Sequence, residues 1–258
     1  MRNEHSISID PSMCNRCGLC RDDCPDSVIV LTDESAEYTG QFCVKCGHCV
    51  AICPQGAVSI TGFDDAPEEI DQFPMIDPDA LLSQMKSRRS MRQFTEKDVS
   101  QDDISKIIEA GRYTPTGGNK QGVSYVVIRD NKDECERIAL SSLRRLKPLL
   151  GIFKRYIRNL EFGDNFLFKS APVVIVIKSI DSLDGALAAS TMELMAQSLG
   201  LGVLYSGFFT RAVRRSPRLK RLLSVAPHDK IVTTLVIGHP AARYQRTAQR
   251  ESAVTCFR

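Results

Sequence analysis

Cys14-Asn-Arg-Cys17-Gly-Leu-Cys20-Arg-Asp-Asp-Cys24-Pro25 recurs 29 residues later as Cys43-Val-Lys-Cys46-Gly-His-Cys49-Val-Ala-Ile-Cys53-Pro54. Both runs read C-x2-C-x2-C-x3-C-P. Three thiolates two residues apart on a glycine-containing loop can converge on one cube of iron and sulfide. The fourth, held before a proline, is turned away toward the other cube. The spacing therefore predicts two [4Fe–4S] clusters, one on Cys14, Cys17, Cys20 and Cys53, the other on Cys43, Cys46, Cys49 and Cys24. Zinc is the rival reading, since thiolates also make structural zinc sites. Those usually close one tetrahedron with two spaced pairs, which a three-plus-one run does not suit.

The repeat extends outward over residues 13–31 and 42–60, keeping Gly18 and Gly47, Pro25 and Pro54 in register. Short apolar runs follow each Cys-Pro, Val28 to Leu31 and Ala57 to Ile60, and predict short strands or turns against the clusters. His48, inside the second run, reads as a surface residue. Residues 61–78 are acidic with three prolines and predict an extended linker.

At 258 residues, 43% hydrophobic and 25% charged, the chain has ample sequence for a packed core. Eight of the ten cysteines sit in the two runs, so a secreted disulfide scaffold is excluded. No signal-peptide core follows Met1, and Ala171 to Ile177 is too short to cross a bilayer. A protein of the reducing cytoplasm, away from the membrane, is expected. Up to Pro78 there are 4 Lys+Arg against 14 Asp+Glu; from Asp79 onward there are 30 against 17. An acidic electron-carrier module ahead of a basic domain that holds an anionic ligand accounts for the contrast.

Past the linker, Asp77 or Asp79 can cap a helix through Leu81, Leu82 and Met85. Ser100-Gln-Asp-Asp103 caps another, with Ile104, Ile107 and Ile108 as its apolar stripe until Gly111. Residues 114–119 read as a loop and 124–129 as a strand. Residues 131–158 read as a helical stretch interrupted at Pro148 and Gly151. Strands are expected over 172–178, 203–205 and 230–237. The helix over 183–199 is apolar nearly all round, which marks it as central. Residues 211–223 read as a basic helical stretch broken at Pro217. Alternating helices and strands predict a three-layer mixed α/β architecture.

Arg88, Arg89, Ser90 and Arg92 supply guanidinium forks and a hydroxyl suited to a phosphate, although a basic turn alone reads more often as a solvated face. With it stand Thr114-Pro-Thr-Gly-Gly-Asn-Lys-Gln121, Leu199-Gly-Leu-Gly202 leading to Ser206-Gly207-Phe208, and Ile237-Gly-His-Pro240 with trailing arginines. In order and spacing these motifs resemble the FMN-dependent nitroreductase family. The first 78 residues resemble a two-cluster bacterial ferredoxin.

The resemblance implies an α+β fusion: a ferredoxin-like domain over 1–62, the linker over 63–78 and a nitroreductase-like FMN domain over 79–258. It implies that Arg88, Arg89, Ser90 and Arg92 grip the FMN phosphate and ribityl chain. Asn119 and Gln121 would contact the flavin side, and Ser206 and Gly207 would face its N5. Arg246 and Arg250 would close over the phosphate. It implies an oxidoreductase with a small electron acceptor, a nitroaromatic, quinone or similar, and NAD(P)H or reduced ferredoxin as donor; an NAD(P)H/flavin oxidoreductase whose clusters only relay, and a non-enzymatic electron carrier or redox sensor, are the other readings. It implies an intertwined homodimer with FMN at the interface; a buried helix of a monomer is the other reading of 183–199. The chain departs from the family where Gly122-Val123 stand in place of proline and tryptophan, and at Ser206, where some relatives have an acid. No Rossmann or Walker fingerprint is present, because position 205 is Tyr where a third glycine would stand. Cys135 and Cys256 read as ordinary thiols. His5, His228 and His239 lack metal-ligand spacing. Arg211, Arg214, Arg215, Arg218, Lys220 and Arg221 read as a solvated face first, a docking surface for an acidic module second, and a nucleic-acid surface last.

Overall fold

A computed structural model describes residues 5–70, 75–153 and 155–258, without side-chain detail over 149–156. They fall into two compact units, Met1–Met75 with Gly117–Lys120, and Ile76–Thr116 with Gln121–Arg258. No helix among the described residues is long and apolar enough to cross a membrane.

The first unit is built twice over. β1 (Ile7–Ile9), α1 (Leu19–Asp22), β2 (Ile29–Leu31), β3 (Ala36–Tyr38), α2 (His48–Ala51) and β4 (Val58–Ile60) follow in order. β1 pairs antiparallel with β4, and β2 with β3. Each three-residue strand turns its first residue inward, so Ile7, Ile29, Ala36 and Val58 meet Cys20 and Cys49 in one small core. β1 and β3 have no counterpart in the sequence reading; three residues are too few to display a period.

The second unit begins with α3 (Pro78–Ser87) and α4 (Gln101–Arg112). Asp77 Oδ1 accepts from Ala80 N at 2.7 Å and Ser100 Oγ from Asp103 N at 3.0 Å, which satisfies donors that each helix start leaves open. β5 (Val123–Ile128), α5 (Lys132–Phe153), α6 (Arg155–Arg158), β6 (Val173–Ser179), α7 (Ser182–Ser198), β7 (Gly202–Tyr205), α8 (Gly207–Arg215), α9 (Pro217–Leu222) and β8 (Lys230–Gly238) complete it. The expected interruption near Pro148 does not appear, since α5 runs through it.

The sheet order is β5-β6-β8-β7. These pairings are antiparallel, and the parallel component is a bridge from Ser90 to Val203. Alternation along the run Val173 to Ile177 explains the layers. Val173, Ile175 and Ile177 face α4 and α7, while Val174 and Val176 face α5, α8 and α9. All five are fully buried, each contributing roughly 2 kcal/mol of apolar transfer. α7 buries Ala188, Ala189, Met192 and Ala196 but leaves Leu183 and Leu187 exposed, so within one chain it is not the fully enclosed helix its composition suggests.

Candidate cluster and flavin sites

Gly18 and Gly47 have φ of 80° and 77°, and Arg16 and Lys45 have 60° and 58°. These left-handed residues, at matching places in the repeat, curl each loop so that successive thiols point inward. Each glycine opens a short helix whose second residue is a buried cysteine, Cys20 or Cys49. One cavity is lined by Cys14, Cys17, Cys20 and Cys53. The other is lined by Cys24, Cys43, Cys46 and Cys49. The crossed sets are those the spacing predicts.

In each set four thiols line one cavity, as a cube whose four irons each take one sulfur requires. Burial and the neighbouring Cys46 push the Cys49 thiol up to about 11, and burial raises Cys20. Crowded thiolates repel one another unless a cationic core compensates them. Backbone N–H groups already aim at sulfur, Ala36 N at Cys14 (3.4 Å), Ala57 N at Cys53 (3.3 Å) and Lys45 N at Cys43 (3.2 Å). The donor set fits iron–sulfur clusters.

In the second unit the Arg88–Phe94 segment lies along the sheet edge. Met91 N donates to Val203 O at 2.9 Å, and Phe94 bridges Pro240 in antiparallel sense. Ala241 N donates to Gln93 O and Thr95 N to His239 O, both at 2.9 Å. Gly202 permits the approach, because Met91 packs where a Cβ would stand. The segment therefore presents Arg89 and Arg92 outward while Met91 is buried. Arg89 Cζ lies 5.8 Å from the Tyr244 ring centroid, Tyr244 OH approaches Ser90 O at 3.5 Å, and Arg92 Nη1 donates to Ser90 O at 3.3 Å.

Arg88 turns the other way. Its Nη1 meets Glu193 Oε2 at 3.2 Å, and Tyr205 OH lies 3.2 Å from the same oxygen. Burial first, then Glu193, raises the Tyr205 hydroxyl far above its ordinary value. Ser206 is buried and spent on structure, its N donating to Thr234 O at 2.9 Å and its Oγ to Leu167 O at 3.1 Å. Gly207 opens α8, is exposed, and has open space where a Cβ would be. Asn119 belongs to the first unit, where its Nδ2 donates to Val44 O (3.1 Å) and Lys45 O (2.6 Å). Gln121 has φ 48°, and its N donates to Thr116 Oγ1 at 2.8 Å. Arg246 and Arg250 are exposed in the irregular carboxyl-terminal stretch.

Glu193, Tyr205 and Tyr244 were not singled out from sequence. A signal existed for Glu193, one of only two acids in the otherwise uncharged helix α7. Cys135 is fully buried, its thiol pushed up to about 11 by burial, and Cys256 is exposed. The basic cluster is partly committed, since Arg214 donates to Ile231 O and Val232 O and Arg218 pairs with Glu134.

Comparison with known proteins follows the same division. Residues 85–239 match the model described as the nitroreductase family, and residues 6–54 match the 4Fe–4S dicluster domain. A putative NADH dehydrogenase/NAD(P)H nitroreductase of Methanothermobacter thermautotrophicus is 25% identical over 170 residues, covering 62% of this chain and 78% of the relative. An FMN reductase [NAD(P)H] of Bacillus subtilis is 28% identical over 174 residues, covering 63% of this chain and 67% of the relative. A nitroreductase with bound FMN from Desulfitobacterium hafniense shares the fold, with a TM-score of 0.59 and 22% identity over 71% of this chain and 100% of that one.

Proposed function

Because this chain belongs to the nitroreductase family and has a 4Fe–4S dicluster domain ahead of it, we propose that it is an iron–sulfur flavoprotein oxidoreductase. In this reading it passes electrons from two [4Fe–4S] clusters through FMN to a small oxidised acceptor, a nitroaromatic, a quinone or a similarly electron-poor compound. The observation that supports it most is the pair of four-cysteine cavities in a chain whose residues 85–239 match the nitroreductase family. When bound, FMN joins one-electron to two-electron chemistry, and the protein's part is to hold and tune it.

Arg89, Ser90 and Arg92 would bind the FMN phosphate, held in place by the backbone bonds to Val203, His239 and Ala241. Arg246 and Arg250 would close over it. In this structure Arg88 acts one step removed, anchoring the segment to α7 through Glu193. The Gly207 N–H, in the first turn of α8 where helical donors lack helical partners, would face the flavin N5. Asn119 and Gln121 are proposed on the flavin side on the strength of the family pattern alone. A homodimer would cover Leu183 and Leu187, which one chain leaves in water.

The test is anaerobic. Reduced ferredoxin is mixed with the holoprotein and the flavin bands are followed, then a nitroaromatic or quinone is added. Flavin reduction followed by reoxidation supports the reading; a flavin that ferredoxin cannot reduce although the clusters bleach removes it. The names of the two curated relatives favour a second reading, in which NAD(P)H is the donor and the clusters only relay. Flavin reduction by NAD(P)H before cluster reduction would select that one.

A further inference from the structure

The two halves of the first unit repeat in backbone and in cysteines but not in charge. The Cys14–Cys17–Cys20–Cys53 cavity has one charged residue in its wall, Arg16. The Cys24–Cys43–Cys46–Cys49 cavity has the carboxylate of Asp26, together with His48. Asp26 is fixed in place, because its Oδ2 accepts from Val44 N at 2.7 Å. A second carboxylate, Asp23, stands beside Cys24 with Oδ2 3.0 Å from His48 Nδ1. At the corresponding places of the second repeat the chain has Gln55 and Ile52, both uncharged. Lys45 occupies the repeat position of Arg16, yet it does not line the second cavity. Sulfur-directed N–H bonds lean the same way. Among the described residues Cys14 and Cys53 each receive one at the first cavity, and Cys43 receives one at the second.

An added electron makes a cluster more negative. A neighbouring cation and N–H donors favour it, and a neighbouring carboxylate opposes it. We propose that Asp26 and Arg16 set the two cluster sites at different potentials. The Cys24–Cys43–Cys46–Cys49 site is the low-potential, electron-donating one, and the Cys14–Cys17–Cys20–Cys53 site is the one where the electron comes to rest. The exchange oxidises one cluster by one electron and reduces the other by one, so it needs no proton or further reagent. This rests on the cluster assignment above.

The experiment is an anaerobic redox titration of the full-length holoprotein, followed by the electron paramagnetic resonance of the reduced clusters. Asp26→Asn keeps an oxygen to accept from Val44 N and removes the charge. One fixed charge in contact with a site moves its equilibrium by one to three powers of ten. Asp26 is half-exposed, so the low end applies, about tenfold, equivalent to about 59 mV for one electron. Two resolved reduction steps are expected. Asp26→Asn should raise only the lower, and Arg16→Gln should lower only the higher. Coincident steps in the unaltered protein, or Asp26→Asn raising the higher step, would overturn the proposal while leaving the clusters in place. A protein without iron would instead defeat the assignment beneath it.

Discussion

Gly202→Ala asks whether β7 fixes the arginine segment. A Cβ on residue 202 would lie 2.7 Å from Met91 Cγ and 2.9 Å from Met91 Cβ, against about 3.5–4.0 Å for an unstrained carbon contact. The Met91 Cγ can swing aside, since the side chain is flexible. Its Cβ moves only with the backbone, and Met91 N is tied to Val203 O at 2.9 Å. Overpacking of this kind costs about 1–3 kcal/mol. Taking about 2 kcal/mol, Tm should fall by roughly 4–8 °C in a protein of this size. The displaced backbone takes Arg89, Ser90 and Arg92 with it. Losing one charge-assisted bond of about 1.5–3 kcal/mol should weaken FMN binding by at least about tenfold. Circular dichroism melts and fluorescence titration with FMN read the two effects. Met91→Ala should partly rescue the change, because the new methyl then enters vacated space, and the double variant should be less destabilised than the sum of the singles. An unchanged melt with unchanged FMN affinity, or strict additivity with Met91→Ala, would refute the reasoning.

Other outcomes follow from the same packing and charge. Cys24→Ala should unload the cluster of the second run and Cys53→Ala that of the first, each halving the iron; loss of the cluster from its own run in either case would mean that the sets are not crossed. Arg92→Ala should raise the FMN Kd by about tenfold to a hundredfold at unchanged Tm, because the side chain is exposed and among the described residues bonds to Ser90 O alone; calorimetry with FMN decides. Glu136 is buried and accepts from Leu167 N (2.6 Å) and Phe168 N (3.1 Å), with burial raising its carboxyl above the ordinary carboxylate range. A raised folded value favours the fold below the unfolded value, and that contribution is lost as pH rises through the folded one. Glu136→Gln should therefore remove this pH dependence, gaining on the unaltered protein as pH climbs past the ordinary carboxylate range; parallel denaturation curves across that range would contradict it.

The sequence was most legible where chemistry repeats or a period has room to appear. Eight cysteines in two registered runs point to the two four-cysteine cavities, and the Ile104, Ile107, Ile108 stripe with its Ser100 cap identifies α4. The unbroken apolar run from Val173 to Ile177 announces a buried strand, and the structure buries it on both faces. β1 and β3 escape notice because three residues show no period and neither follows a Cys-Pro landmark as β2 and β4 do. The sequence suggests a helix only from Arg211, yet α8 begins at Gly207, because Gly207, Phe208 and Phe209 are poor helix formers that tertiary packing overrides. Arg88 illustrates the limit at the candidate site. Its type suits a phosphate, but the partner it meets here, Glu193, is 105 residues away and leaves no local trace. Residue type set the candidates; contacts between distant residues sorted them into those facing out and those spent on holding the segment.

Iron, acid-labile sulfide and flavin, quantified per chain in protein purified without oxygen, bear most directly on two clusters and a flavin sharing one polypeptide. About eight iron, about eight sulfide and about one FMN per chain are predicted. Zinc in place of iron, or a protein that neither retains FMN nor takes it up on titration, would contradict the account.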